Sequence, residues 1–179
     1  MIITISGLHG TGKSTIGKLI AEKMGIKYYS TGQAFRDLAQ EMKMTLAEFT
    51  KYVERNPEID KKLDNRIIEI AKKGNVIIDS QLSGYLLKDF SDFNILLTCP
   101  LETRVKRMIQ RDNSDYEEKI KETKMREKSE LERFKLLYNI DLSNQQELYQ
   151  IYDLIINTES LSVEEIFKEI ILKLEKVIK

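Results

Sequence analysis

The sequence contains few residues that would fix its fold covalently or hold it in a membrane. Its 179 residues include one cysteine, Cys99, two prolines and no tryptophan. One cysteine excludes an internal disulfide, so we expect a protein of the reducing cytoplasm in which Cys99 is a small core residue. Apolar runs such as residues 95–97 and 154–156 fall far short of the roughly 20 residues that a membrane-spanning helix requires. The N-terminus lacks the basic start and long apolar stretch of a signal peptide, and we interpret it as a strand.

An excess of charge of one sign is also lacking. Lysine and arginine number 29, as do aspartate and glutamate, so the formal net charge is zero. This balance gives the chain no general attraction to nucleic acid or to an anionic membrane surface. We therefore expect no nucleic acid or membrane partner, and we expect a monomer that binds small molecules.

Short apolar segments alternate with longer segments of helical period, which predicts βαβ units around a parallel sheet. The predicted strands lie near residues 1–6, 27–30, 75–79, 94–98 and 153–157. No repeat or linker divides the chain, and 41% apolar residues can form one buried core. The predicted fold class is α/β, a single domain with a five-stranded parallel sheet between layers of helices.

Helix signals lie between and after the strands. Two or three helices are predicted between the second and third strands, one following Ser30, one opened by Thr45 and one beginning near Pro57. The last helix is expected to start at Ser162, with Glu165 as its capping-box partner. Its core-facing residues would be Ile166, Ile170, Leu174 and Val177.

The strongest motif follows the first strand directly. It consists of Gly7, Leu8, His9, Gly10, Thr11, Gly12, Lys13 and Ser14. The motif matches GxxxxGK(S/T), a P-loop whose backbone N–H groups surround phosphate oxygens at the start of a helix. Lys13 would reach the β- and γ-phosphates of ATP, Ser14 would coordinate Mg²⁺, and Thr15 would contact a phosphate nearer the ribose. The alternative is a flexible turn that matches by chance. His9 occupies a variable position of the loop and is expected to be solvated.

A second candidate for the metal site lies at the end of the third strand. Residues 76–78 are apolar and lead into Asp79, an arrangement by which P-loop enzymes direct a carboxylate at the water shell of Mg²⁺. The alternative is an aspartate that caps the following turn. With the P-loop present, Ser14 and Asp79 together form the predicted metal site.

Residues 30–36 read Ser-Thr-Gly-Gln-Ala-Phe-Arg and resemble the signature of cytidylate kinases. The similarity is strongest to the short archaeal members and continues through residues 38–39, 57–60, 140–141 and 153–158. It implies that Arg36 holds the monophosphate and that Thr31 contacts the cytosine base. A guanidinium suits the first role because it can grip a phosphate with paired hydrogen bonds.

Residues 101–138 predict a charged helical hairpin that projects from the sheet, with an interruption at 112–114 and a capping box formed by Ser114 and Glu117. Two sets of its residues recur at offsets of three and four, each on one side of a helix. They are Arg104, Arg107 and Arg111 on the first helix and Arg126, Glu130 and Arg133 on the second. The alternative is a solvated pair of helices joined by salt bridges.

The resemblance implies instead that the hairpin is a lid. Arg107 and Arg111 would lie at its start over ATP, Arg126 and Arg133 would reach the phosphates and the monophosphate site, and Glu130 would sense the cytosine amino group. Such a lid stabilises charge on the transferring phosphoryl group and excludes water. The predicted catalytic residues are Lys13, Arg36, Arg126 and Arg133.

One position departs from the family pattern. The family usually has an arginine after the third strand, where this sequence has Gln81. An amide can donate to a phosphate but carries no charge. Monophosphate binding could then be weaker, shared with Lys61, Lys62 or Arg66, or adapted to another nucleotide. The preference for cytidylate is the expectation that Gln81 places in question.

The resemblance implies a P-loop kinase fold with a core of residues 1–30, 75–103 and 139–179, a helical monophosphate-binding insert at 31–74 and a helical lid region at 104–138. The expected activity is transfer of the γ-phosphoryl group from ATP, with Mg²⁺, to CMP and also dCMP. Two alternatives remain. One is a P-loop kinase for another monophosphate or for a small hydroxylated metabolite, in which Asp37 or Asp79 would be the base. The other is an assembly factor that hydrolyses ATP.

Overall fold

The structure, a computed structural model, describes residues 1–142 and 144–177. Its strands are β1 (Ile2–Ser6), β2 (Lys27–Ser30), β3 (Val76–Asp79), β4 (Phe93–Thr98) and β5 (Leu154–Asn157). All neighbouring pairs are parallel, and the order across the sheet is β2–β3–β1–β4–β5. The predicted strands are confirmed to within one residue at each end. β3 and most of β1 and β4 are buried, as expected for a parallel sheet covered on both faces.

Helices connect the strands and cover both faces. They are α1 (Lys13–Met24), α2 (Thr31–Glu41), α3 (Leu46–Glu54), α4 (Glu58–Ala71), α5 (Ser83–Leu86), α6 (Leu101–Asp112), α7 (Tyr116–Tyr138), α8 (Gln145–Ile151) and α9 (Val163–Val177). Within the described ranges, none of them has the length and apolar character that crossing a bilayer demands.

The main core lies between the sheet and two of the helices. Ile16 and Ile20 of α1 and Ile170 of α9 pack on sheet residues such as Ile5 and Ile95. Helix α9 begins with the predicted capping box, in which Ser162 Oγ accepts from the Glu165 N–H and Glu165 accepts from the Ser162 N–H. The opposite face is covered by α4 and by the end of α7, so the fold has three layers, α/β/α.

The three helices between β2 and β3 have a small core of their own. Phe35 of α2 meets Phe49 of α3 edge to face, with ring centroids 4.7 Å apart, and Leu63 of α4 completes the cluster. Thr45 caps α3 in a capping box with Glu48, as the sequence indicates. This second cluster holds α2, and Arg36 with it, above the carboxyl ends of the strands.

Four details differ from the sequence predictions. Helix α7 is capped by Asp115 and not by Ser114, because the helix begins one residue later and the Asp115 carboxylate accepts from the Glu118 N–H. The hairpin does not project freely, since Phe134 packs with Leu96 beneath it. Val177 is half exposed and lies outside the apolar stripe of α9. Helices α5 and α8 were not predicted.

Candidate functional site

A cleft lies at the carboxyl ends of β1 and β3, between the P-loop, α2, α4 and the hairpin of α6 and α7. Most of the predicted site residues line it. They are His9, Gly10, Lys13, Ser14, Thr31, Arg36, Asp79, Gln81, Arg111, Arg126, Glu130 and Arg133. Gly7, Leu8 and Thr11 instead face a second, mainly apolar cavity behind the loop. Gly12, Thr15 and Arg107 line neither cavity.

The P-loop closes tightly because glycines occupy its crowded positions. A Cβ on Gly7 would come within 2.3 Å of the Leu97 carbonyl oxygen, and one on Gly10 within 2.7 Å of the Arg104 carbonyl oxygen. Both glycines also have positive φ, a conformation that other residues rarely adopt. The loop therefore lies directly against the end of β4 and the start of α6.

Two side chains support the P-loop. One is Thr158, which is distant in the sequence, and the other is Lys13, which belongs to the loop itself. Thr158 is fully buried, and the single proton of its Oγ1 lies between the Thr11 carbonyl at 3.1 Å and the Thr98 carbonyl at 3.2 Å. The same oxygen accepts from Arg107 Nη1 at 3.0 Å. Lys13 Nζ donates to the Leu8 carbonyl at 2.9 Å. Burial lowers the pKa of Lys13, although Asp79 and Glu130 act in the opposite direction. The lysine is thus held over the loop with two carboxylates nearby.

The predicted metal residues are adjacent. Ser14 Oγ donates to Asp79 Oδ2 at 2.6 Å, and Tyr28 OH donates to the same oxygen at 2.6 Å. A carboxylate and a hydroxyl are the hard oxygen ligands that Mg²⁺ prefers, so this pair fits the ion. Residues 1–142 and 144–177 hold no cluster of three or more His, Cys, Asp or Glu side chains that would form a metal cage. Phosphate oxygens and water would have to complete the coordination.

Glu130 of α7 forms a hydrogen bond to the P-loop. Its Oε2 lies 2.7 Å from His9 Nε2 and 2.7 Å from Gln81 Nε2, and its Oε1 lies 3.5 Å from Arg126. Burial acts to raise the pKa of Glu130, but His9, Arg126 and Gln81 outweigh it and lower the pKa to about 2. Because the ionised carboxylate can only accept, His9 carries its proton on Nε2 and donates. The expectation that His9 is solvated is wrong: its side chain is 21% exposed and engaged.

The three arginines of α6 do not share one environment, contrary to the helical-spacing prediction. Arg104 is buried, donates to the His9 carbonyl and forms an ion pair with Glu127 of α7. Arg107 donates to Thr158, outside the cleft. Only Arg111 lines the cleft, where it pairs with Asp112. Tertiary partners beyond the helix, which spacing cannot reveal, separate their roles.

Arginines converge on the side of the cleft opposite the P-loop. Arg36 is held by Gln33, whose Oε1 accepts from Nη2 at 2.8 Å. Burial, followed by the charges of Arg111 and Arg126, lowers the pKa of Arg36. Arg126 lies over the Phe35 ring at 5.9 Å. Three guanidiniums lie within electrostatic range of one another, an arrangement that could hold an anion.

A further group of polar residues lies on the α4 side of the cleft. Arg133 Nε donates to Asp60 Oδ2 at 2.6 Å, and its Nη1 donates to Ser129. Burial raises the pKa of Asp60, while Arg133 acts in the opposite direction. Thr31 Oγ1 is buried without a hydrogen-bond partner in the described part of the chain. Lys61, Lys62 and Arg66 are exposed on the outer side of α4, so the idea that they share monophosphate binding is wrong for this arrangement.

Sequence reasoning missed Tyr28 and Asp60, which bind two of the predicted site residues, Asp79 and Arg133. Tyr28 was interpreted only as part of a strand, and Asp60 only as part of a matching segment. Gly17 was a usable signal for Tyr28, since a Cβ there would meet the Tyr28 ring at 2.7 Å. For Asp60, the available signal was a carboxylate on the inner face of α4, which buries Asp60 and Asp64 beside Leu63 and Ile67.

Comparison with known proteins places the chain in a family. A family model described as the cytidylate kinase-like family matches residues 2–160. The cytidylate kinase of Methanocaldococcus jannaschii is 44% identical over 170 residues, which cover 93% of this chain and 93% of that protein. The cytidylate kinase of Sulfurisphaera tokodaii is 42% identical over 169 residues, which cover 94% and 92%.

Solved structures show the same fold at low identity. A shikimate kinase from Bacteroides thetaiotaomicron has a TM-score of 0.63 at 15% identity, with 98% of both chains covered. An uncharacterized protein from Eubacterium ventriosum has a TM-score of 0.69 at 18% identity, also with 98% of both chains covered. These likenesses concern the fold alone.

Proposed function

The chain belongs to the cytidylate kinase-like family, and we propose that it transfers the γ-phosphoryl group of ATP to CMP, giving ADP and CDP, with dCMP as a further acceptor. The observation that carries the proposal is the cleft itself. It has a P-loop with Lys13 on one side and the converging guanidiniums of Arg36, Arg111 and Arg126 on the other. Two anionic groups can therefore face each other across it.

The donor side follows from the P-loop. Its backbone N–H groups would surround the phosphates of ATP, Lys13 would contact the β- and γ-phosphates, and Thr15 would contact a phosphate nearer the ribose. Ser14 and Asp79 would hold Mg²⁺. The ion, when bound, neutralises charge on the β- and γ-phosphate oxygens. The family resemblance implies that Arg107 and Arg111 both lie over ATP, but only Arg111 lines the cleft, because Arg107 is bound to Thr158.

The acceptor needs positioning more than activation. A phosphate monoester has a second pKa near 6, so at neutral pH its oxygen is already a nucleophile and no general base is required. Arg36 would hold the acceptor phosphate in line with the γ-phosphorus, and Arg126 would stabilise the charge of the transferring group. His9 has no part in proton transfer here, because its Nε2 proton is directed at Glu130.

The cytosine base of the acceptor would be recognised near α4. Thr31 supplies a hydroxyl that is free to bond a ligand, and Arg133 reaches the same region. The role proposed for Glu130 in sensing the cytosine amino group requires an exchange of partners, since its carboxylate is bound to His9 and Gln81. Gln81 is bound to Glu130 and carries no charge, so the positive charge that holds the acceptor phosphate would come from arginines of the cleft such as Arg36 and Arg126.

A coupled assay over an acceptor panel tests this function. We expect CMP and dCMP to give the highest kcat/KM among CMP, dCMP, UMP, AMP and small alcohols such as shikimate. Faster turnover of an alcohol would favour a metabolite kinase. Slow ATP hydrolysis that no acceptor accelerates would favour an assembly factor. Both results would overturn the proposal.

A further inference from the structure

Asp79 is oriented by two hydroxyls that come from two different elements. Ser14 of α1 and Tyr28 of β2 both donate to Oδ2, each at 2.6 Å. The other oxygen, Oδ1, accepts no hydrogen bond from residues 1–142 and 144–177. The carboxylate is thus fixed with one oxygen occupied and one oxygen available.

The sequence provides space for this arrangement. Tyr28 does not line the cleft, and its ring lies across α1 at Gly17, where any Cβ would come within 2.7 Å of it. Lys18 Nζ lies 6.0 Å from the ring centroid on the same side. Only with glycine at position 17 can the phenol reach past the helix to the end of β3.

We propose that Tyr28 is a positioning residue that holds Asp79 in the orientation needed for Mg²⁺, an inference that rests on the proposed function. Ser14 can give its hydroxyl proton to Asp79 and still offer a lone pair to the ion. Tyr28 supplies the second constraint, which stops the carboxylate from rotating about χ2 when the metal pulls on it. The phenol itself touches neither metal nor substrate.

The neighbouring residue provides a matched control. Tyr29 follows on the same strand but faces the opposite side of the sheet, in the cluster that contains Ile78 and Ile67. Its buried hydroxyl has no hydrogen-bond partner in the described ranges. Tyr28→Phe and Tyr29→Phe therefore remove the same atom from adjacent positions, and only the first removes a contact to Asp79.

Calorimetric titration with ADP, once in Mg²⁺ and once in EDTA, distinguishes the contribution of the metal to binding from that of the nucleotide. We expect Tyr28→Phe to reduce the gain in ADP affinity that Mg²⁺ brings by about tenfold, and to leave the affinity in EDTA unchanged. Tyr29→Phe should match wild type in both titrations. Gly17→Ala, which displaces the ring, should reduce the same gain.

Three outcomes would count against the assignment. If Tyr28→Phe keeps the full Mg²⁺-dependent gain, Tyr28 does not position the metal site. Weaker binding by equal factors with and without Mg²⁺ would assign Tyr28 a purely structural role and also overturn the inference. Absence of any Mg²⁺-dependent gain in wild type would overturn the proposed metal site as well, so the two failures can be distinguished.

Discussion

His9 on the P-loop donates a hydrogen bond to Glu130 on α7, with the two atoms 2.7 Å apart. The contact joins residues that are 121 positions apart in the chain and spans the two sides of the cleft. It couples the element that would hold ATP to the helix that carries Arg126 and Arg133. The position of these arginines therefore depends on a side chain of the loop.

Loss of this contact should slow the reaction. We expect His9→Ala to lower kcat about tenfold, because a hydrogen bond to a buried carboxylate is lost and the arginines of α7 are held less firmly. His9→Gln, which keeps an N–H donor, should recover most of the rate. Steady-state kinetics with ATP and CMP measure the effect. Equal kcat values for wild type and His9→Ala would show that the contact is dispensable.

Arg36 should act on the acceptor and not on the donor. Arg36→Ala is expected to reduce kcat/KM for CMP about 100-fold with little change in KM for ATP, since paired hydrogen bonds to the phosphate are lost. The kcat/KM of Arg36→Lys for CMP should lie between those of wild type and Arg36→Ala, because lysine keeps the charge without the paired hydrogen-bond geometry. Arg55, which is exposed after α3 and does not line the cleft, provides the control substitution Arg55→Ala. A matching rise in KM for ATP would contradict the assignment.

Asp64 should make stability depend on pH. Burial raises the pKa of Asp64 to about 6, against a smaller opposing effect of the hydrogen bond from Tyr138. The folded state thus binds this proton more tightly than the unfolded state, and its contribution to stability is lost as the pH rises from about 4 to about 6. The loss amounts to roughly 3 kcal/mol at most.

Asp64→Asn removes this titration. The free energy of unfolding of the variant, relative to wild type, should increase between pH 4 and pH 7 by up to roughly 3 kcal/mol. Urea unfolding at a series of pH values measures the difference. Parallel pH profiles for the two proteins would show that Asp64 does not titrate in this range.

The buried ion pair of Arg104 and Glu127 should contribute far more to the free energy of unfolding than an exposed ion pair does. Arg104→Ala leaves the buried Glu127 carboxylate without its ion pair to Arg104. We expect a loss of about 3–5 kcal/mol in the free energy of unfolding. The exposed pair of Lys128 and Glu132 on the same helix is the control, and Lys128→Ala should change stability by less than about 1 kcal/mol. Chemical denaturation measures the free energy of unfolding of both variants. Similar losses for Arg104→Ala and Lys128→Ala would contradict the expected difference between a buried and an exposed ion pair.

The sequence predicted the sheet well because every strand has a local signature. The apolar run that ends at Asp79 and the run from Phe93 to Thr98 are short, buried and bounded by polar residues. The P-loop and the caps at Thr45 and Ser162 are equally local, since the interacting groups lie within a few residues. The proposed division into core, insert and lid stays a prediction, as do the monomeric state and the absence of a nucleic acid partner.

What the sequence could not provide were contacts between distant segments. Arg104, Arg107 and Arg111 have the spacing of one helix face, yet Glu127 and Thr158 bind the first two and leave only Arg111 in the cleft. His9 was assigned to solvent for the same reason, because its partner Glu130 is remote in sequence. Helix α5 was missed since a four-residue helix has too short a pattern to recognise.

The hydroxyl of Thr158 has a consequence for how the protein is made. It supports the carbonyl of Thr11, although 147 residues separate the two along the chain. On the ribosome, the loop that would hold ATP is synthesised 147 residues before Thr158, which follows β5. A nascent chain should therefore gain nucleotide affinity late, once nearly the whole sheet has emerged.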